Sequence, residues 1–468
     1  MTTRARIAAL AGLMALASCK SLEVGDLNNP AFDDLARNPN RVRVLAAASG
    51  LLVGLRGGVG GTSGFGNQNG YIVLLGVLGR EGYNFDAADP RFVTELLIGP
   101  LDGGSPAFGG NLWTQPYANI RNADVVQQAV GLLATDPVAG LTAAEKEGVL
   151  GFAKTIKALD LLHVINTRDS LGAVIQVPDD PTTAPGAIAT RTQVFSYIVA
   201  LLDSAQTHLQ SPGAAFAFAL SSGFSGFSTP STFLQVNRAI RARVAAYLGD
   251  WNGVLTALGA SFLSTTASLQ LGVFHVFSPG SGDQLNALFD PQARALMAHP
   301  SLRTDAQLQA GGARDQRFLD KVATTTSKTV QGITTDLLWT RYSGPFDAIP
   351  IIRNEELILL RAEANIQLGN LATATTDLDL IRQTSGNLPA LGGGLTQAQL
   401  IDEVLYNRRY SLLWEGGHRW IDMRRYGRLG QLPQDLATHR RFARFPFPIG
   451  ECDARSSAPP GCGTIAGF

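Results

Sequence analysis

Between Leu357 and Ile381 the apolar residues recur at helical spacing. Leu357, Leu360, Ala364 and Leu368 step by three and four, which puts them on one face of a helix from Asn354 to Leu368. Asn354 is placed to cap it, and Glu355 and Glu356 in its first turn oppose the positive end of its dipole. Gly369 and Asn370 can end it in a left-handed turn. The pattern restarts at once, with Leu371, Ala374, Leu378 and Ile381, before Thr384, Ser385 and Gly386 break it. Two helices joined so closely form an antiparallel hairpin. The same unit occurs earlier: RARVAAYLGDWNGVLTAL, Arg241 to Leu258, aligns with RAEANIQLGNLATATTDL, Arg361 to Leu378, placing Leu248-Gly249 on Leu368-Gly369 and Ala242 on Ala362. Further helical periods cover Asn40 to Leu52, Tyr117 to Leu133, Ala143 to Asn166, Gln193 to Leu209 and Val404 to Met423.

Helical hairpins with an LG turn and small residues at the packing points resemble tetratricopeptide repeats. Their spacing is too irregular for a simple solenoid. The expected fold is therefore mainly α, with tetratricopeptide-like hairpins packed into one globular body and interrupted by long insertions. Those insertions, 57–70, 99–111, 177–187, 211–232 and 259–286, are rich in Gly, Ser, Pro and Thr and hold many exposed-looking aromatics. Loops longer than about 12 to 15 residues in a compact protein are usually functional or disordered. The glycines from Gly57 fit no nucleotide-binding fingerprint, and no lysine follows them, so this stretch reads as a flexible loop.

The apolar run Ile7 to Ala17 is too short for an ordinary membrane anchor, which needs about 20 residues, but suits the core of a signal peptide behind Arg4 and Arg6. The ending Leu16-Ala17-Ser18-Cys19 resembles the lipobox of bacterial lipoproteins, in which the cysteine thiol takes a diacylglycerol and becomes the new N-terminus. The expected division is a signal peptide over 1–18, a tether over 19–39 lipidated at Cys19, and a single domain over 40–468. Acyl chains on Cys19 would anchor the protein stably. Lys20 follows the cysteine, where an inner-membrane retention signal would place aspartate, which favours the outer membrane.

Composition narrows the function. Forty-five per cent hydrophobic and sixteen per cent charged residues suffice for a sizeable core. Lys plus Arg and Asp plus Glu each number 38, so no net field recommends nucleic acid as a partner. Cys452 and Cys462 lie in a Pro, Ser and Gly-rich turn and read as a local disulfide, with free thiols as the alternative; the absence of CxxC spacing and of a nearby histidine argues against zinc. The histidines are scattered without HExxH, GTSGF and GFSGF are not nucleophile elbows, and no carboxylate stands in a catalytic motif. No catalytic residue, metal or cofactor is expected.

Three C-terminal blocks carry a more specific signal: IPIIRNEELILLRAEANIQLGN (Ile349 to Asn370), VLYNRRYSLLWEGGHRWIDMRRYGR (Val404 to Arg428) and FPFPIGE (Phe445 to Glu451). With the lipobox and LEVGDLNNP (Leu22 to Pro30), they resemble the SusD/RagB family of outer-membrane nutrient-binding lipoproteins. The resemblance rests on Pro350, Arg353, Ala362-Glu363-Ala364, Arg408-Arg409, Glu415-Gly416, Arg419, Asp422, Arg424-Arg425, Gly427, Pro446 and Pro448. The chain departs from the family pattern at Asn407 and Ser411, where glutamate is usual, at the extra Gly417, and in the tail after Glu451.

The resemblance implies a lipid-anchored protein on the extracellular face of the outer membrane. It would capture an oligosaccharide, peptide or related nutrient and deliver it to a SusC-like TonB-dependent transporter, without catalysis. A periplasm-facing helical scaffold and a surface glycan-degrading enzyme are the competing readings. Sugar recognition uses aromatic faces, so Phe65, Phe108, Trp113, Tyr117, Phe224, Phe227, Trp339 and Tyr342 form the pool to search, although core packing suits each one singly. Arg353, Arg408, Arg409 and Arg419, with Glu363, Glu415 and Asp422, are expected to be structural: arginine–carboxylate pairs fixing the packing of the C-terminal helices.

Overall fold

The computed structural model describes residues 35, 37–59, 70–105, 111–178, 183–210, 213–280, 283–289 and 295–468. The longest helices are α1 (Arg41–Val59), α3 (Asn111–Leu132), α4 (Ala143–Arg168), α5 (Arg191–Gln210) and α6 (Pro230–Leu248); α2 (Tyr71–Leu78) is a short, wholly buried helix. Local chemistry starts several of them. Thr142 and Glu145 form a reciprocal capping box on α4, and Thr229 with Thr232 does so on α6, with Pro230 at the first helical position. Consecutive helices pack in series, α1 on α3, α3 on α4, α4 on α5 and α5 on α6, and the array continues through α7 (Trp251–Gly259) to α9 (Asn354–Gln367), α10 (Leu371–Gly386) and α11 (Gln397–Ser411). The two aligned hairpins, α6–α7 and α9–α10, both turn at a left-handed glycine, Gly249 at φ 74° and Gly369 at φ 81°. Leu248 and Leu368 just before these turns are exposed.

Helix α9 differs from the amphipathic helix expected. Its residues from Asn354 to Ile366 are buried except Arg361. Leu357, Leu360 and Ala364 join the main core, while Ile358, Leu359, Ala362 and Ile366 join a second core with α10 and α11. A helix wedged between two cores needs apolar residues on both faces, which a single-stripe reading misses. Asn354 does not cap: Arg353 occupies that position, and the Asn354 side chain instead ties down the 264–268 loop, accepting from the Ser264 amide and donating to the carbonyls of Ser264 and Ser268.

The helix expected over Val404 to Met423 is two helices, α11 and α12 (His418–Arg425). Between them Trp414 (φ 54°) and Gly417 (φ 65°) take left-handed conformations. A Cβ on Gly417 would lie 2.4 Å from that of Leu75, so only glycine lets α2 pack here.

Strands that the helical pattern did not announce complete the body. β1 (Gly82–Asn84), β3 (Leu296–Ala298), β4 (Val322–Val330) and β5 (Ile333–Trp339) form an antiparallel sheet in the order β1-β3-β5-β4. β2 (Gly272–His275) pairs with β6 (Ile349–Arg353), so the 259–286 insertion is stitched to the start of α9. The 211–232 insertion is likewise built in. Phe216 and Phe218 pack on Phe152, and Phe224 and Phe227 are buried. Cys19, Phe65 and Phe108 lie outside the described residues.

Candidate functional site

A cleft of about 750 Å³ opens between the 265–270 loop, α8 (Gln316–Lys321) and the end of α10. Its rim carries short polar side chains, among them Thr265, Thr266, Ser268, Gln270 and Thr384, and its floor is a buried ion network centred on Arg353. Strand β6 ends at this arginine and α9 begins after it, which delivers the guanidinium and Glu355 to the same place. Arg353 Nε donates to Glu415 Oε2 at 2.8 Å and Nη2 to Glu415 Oε1 at 3.1 Å, a bidentate pair; Nη2 also reaches the Ser411 carbonyl at 2.7 Å, and Nη1 donates to Glu355. Arg341 donates to Glu415 Oε1 from Nη2 at 3.2 Å. Lys321 Nζ donates to the Tyr410 and Ser411 carbonyls.

Asn407 and Ser411, two of the positions that depart from the family pattern, sit inside this network. Asn407 Oδ1 accepts from Arg317 Nη1 at 2.9 Å, and Ser411 Oγ accepts from the same atom at 3.0 Å while donating to Glu355 at 2.6 Å. Arg317 is also clamped by Asp315, which accepts from its Nε and Nη2. Burial would raise the Glu415 carboxyl, but Arg353, Arg341 and Lys321 outweigh it and hold it at about 2. Glu355 is held at about 2 against the same penalty by Arg353 and Lys321, with the Ser411 hydroxyl helping. Burial pushes Lys321 down to about 8, aided by Arg341 and Arg353 and opposed by Glu415. Arg317, Lys321, Arg341 and Arg353 face Asp315, Asp320, Glu355 and Glu415, so the cleft is polar but balanced in charge.

The other expected residues distribute around this floor. Arg408 forms a buried pair with Asp422 at 2.7 Å, and Arg425 bridges Asp422 at 2.8 Å and Glu363 at 2.9 Å. Arg409 turns away to Asp305 and Ser301. Arg419 makes no ion pair among the described residues; it faces Glu81, a carboxyl that burial raises to about 8 against the pull of Arg419 and Arg409. Sequence reasoning missed Glu81, Asp305, Asp315 and Arg317, which carry no motif and come from distant parts of the chain. Among the aromatics, Trp113, Phe224, Phe227 and Tyr342 are buried, and Tyr117 hydrogen-bonds both backbone groups of Val174. Trp339 is half-buried against Trp414. Cys452 and Cys462 are joined by a disulfide.

A small cavity of about 30 Å³ behind the floor is lined by His163, His275 and His418, whose rings burial holds uncharged, at about 3, 3 and 4. Among the described residues no group of three or more His, Cys, Asp or Glu could hold a metal ion, and no helix is long and apolar enough to cross a membrane.

This helical body, with a motif-lined cleft at its C-terminal third, is the SusD-like fold. Over 91% of its length the chain superposes on 99% of a SusD superfamily protein from Bacteroides vulgatus ATCC 8482, with a TM-score of 0.69 at 16% identity. A laminarin-binding SusD-like protein matches over 90% of this chain and 99% of its own at TM-score 0.62 and 16% identity, and B. fragilis NanU over 93% and 99% at 0.65 and 14%. Residues 312–451 match the SusD family model. The chain thus carries the SusD family's sequence signature over residues 312–451 and a SusD-like fold over about nine-tenths of its length. No curated protein matches it.

Proposed function

We propose that this protein captures a nutrient outside the cell and passes it to a transporter, without transforming it. The observation that carries this reading is the SusD-like fold over nine-tenths of the chain, shared with a relative described as laminarin-binding. The cleft supports an oligosaccharide as cargo. Its size falls within the range of small-molecule sites, about 300 to 1,000 Å³, its rim offers hydroxyls and amides to sugar hydroxyls, and its balanced charge imposes no preference for an ion. The floor argues against glycosidase chemistry, because a general acid needs a raised carboxyl and both floor glutamates are held ionised by arginine.

In the full reading, residues 1–18 are removed, Cys19 carries the lipid, 19–39 tether the body, and 40–468 work at the extracellular face over a SusC-like TonB-dependent barrel. Isolating the tagged protein from outer membranes tests the partner. A stoichiometric barrel supports the reading, and recovery of assembly machinery instead would favour the periplasmic scaffold. Affinity electrophoresis on laminarin and other neutral glycans tests the cleft. Ala267 is exposed on its rim, so Ala267→Arg should obstruct it without unfolding the body and weaken binding about tenfold. Unchanged binding by that variant would move the ligand elsewhere.

A further inference from the structure

A second pocket, of about 330 Å³, lies between the end of α4, the start of α5 and α12. Arg191, Arg424 and Arg425 reach it, with Phe195, Tyr247 and Ile421 as apolar walls, and Asp169 is its sole carboxylate among the described residues. The charges do not cancel. Arg425 is answered by Glu363 and Asp422, which lie outside the pocket. Asp169 must then serve both remaining guanidinium groups: its Oδ1 is 3.0 Å from Arg191 Nε and 3.6 Å from Arg424 Nε. Next to it, Arg444 Nη1 donates to Ser170 at 2.6 Å, while its buried Nε has no acceptor among the described residues.

The two pocket arginines are also held in place. Arg424 donates to the carbonyls of Ala443 and Asn166 at 2.8 and 2.7 Å and lies 4.5 Å over the Trp420 ring. Arg191 lies 4.6 Å over Phe195 and donates from Nη2 to the Tyr247 carbonyl at 3.3 Å. Its Nη1 has no hydrogen-bond partner among the described residues, and the side chain is 36% exposed. Fixed guanidinium groups with an uncompensated charge and free N–H donors suit an oxyanion, which arginine binds with planar, directional geometry.

We propose that this pocket binds a small anionic solute, with Arg191 and Arg424 holding its carboxylate, sulfate or phosphate group and the Phe195–Tyr247 wall covering its apolar side. The proposal does not depend on the cleft or on the identity of its cargo.

Calorimetric titration of the full chain with D-glucuronate, inorganic sulfate and inorganic phosphate, with D-glucose as the uncharged control, tests it and identifies which oxyanion is preferred. At least one anion should bind, and glucose should not. Arg191→Gln should weaken that anion about tenfold, and Asp169→Asn, which removes the competing carboxylate, should tighten it by a similar factor. Asparagine has the shape of the aspartate that already holds this backbone conformation at position 169, so the second variant should keep the fold. An unchanged melting temperature in both variants separates binding from folding. No anion binding at about 10 mM, equal binding of glucose, or affinities unmoved by either variant would overturn the proposal.

Discussion

The cleft floor and the basic pocket are both rich in arginine, yet they use it in opposite ways. On the floor, every cation has a carboxylate within reach, and Glu355 and Glu415 stay ionised because Arg353 and Lys321, joined by Arg341 at Glu415, outweigh their burial. In the pocket, Arg191 and Arg424 share one half-buried carboxylate, Asp169. The motif's own Arg424-Arg425 pair divides between the two modes: Arg425 points inward to Glu363 and Asp422, whereas Arg424, held by two backbone carbonyls, has the shared Asp169 as its one carboxylate among the described residues. Arginine content therefore says little about a site. What separates structure from recognition is whether the charge has already been answered.

The largest effect should come from breaking the answered charges. Arg353→Ala takes the central cation from two buried carboxylates, leaving only the more distant Arg341 and Lys321, and removing one partner of a buried pair costs about 3 to 5 kcal/mol. Urea denaturation at pH 7 should show that loss. Acid should reach the same network in the unaltered protein. Glu355 and Glu415 titrate near 2 when folded, against 4.5 as the ordinary value, so their stabilisation is complete above about pH 4.5 and disappears as pH falls toward 2. The three cavity histidines add to this from a higher pH. Their folded values, at about 3 to 4, lie below the ordinary 6.5, so protonation of the unfolded chain begins to erode stability below about pH 6.5.

Glu81 sharpens the contrast because its charge is suppressed instead of answered. It is buried beside Gly76 and Trp414, and neither carboxyl oxygen has a hydrogen-bond partner among the described residues. With a folded value of about 8 above an ordinary 4.5, it binds its proton more tightly when folded. Its contribution is therefore complete below about pH 4.5 and is lost as pH rises toward 8. Glu81→Gln should melt close to the parent at pH 4 and become relatively more stable by roughly 1.4 kcal/mol per pH unit between 5 and 8. A constant offset across that range would show that Glu81 is ionised throughout.

Arg409→Ala should cost less, about 1 kcal/mol by urea denaturation, because its partner Asp305 is nearly half exposed and the pair is screened by water.

Much of this fold is legible where a local rule suffices. The hairpins α6–α7 and α9–α10 announce themselves by period and by the glycine that ends the first helix of each. Asp422 lies in the same block as Arg408 and Arg425, and Glu363 and Glu415 meet Arg425 and Arg353 across the first two blocks. Legibility fails where the determinant is distant or the pattern is full. Helix α2 is apolar on every side and has no stripe to read. Strand β2 is a strand because β6, more than 70 residues on, pairs with it. Asp305, Asp315 and Glu81 reach the motif helices from other elements, so no spacing in the C-terminal blocks predicts them. The basic pocket is the extreme case. Asp169, Arg191, Tyr247 and Arg424 come from four separate stretches of chain, and only the packing of α4, α5 and α6 against α12 brings them together.

The smallest expected effect isolates that pocket from the fold. Arg191 has one shared carboxylate, one long carbonyl contact and a side chain 36% exposed, so little of its charge is committed to holding the structure. Exposed pairs of this kind contribute about 0 to 1 kcal/mol. Arg191→Gln should accordingly lie within about 0.5 kcal/mol of the parent in urea, and removing a positive charge beside Arg424 offsets part of what the pair with Asp169 supplied. A stability loss as large as that of Arg353→Ala would mean that the pocket's charge is structural after all, and the distinction between answered and unanswered arginine would fail at the one position where it has functional content.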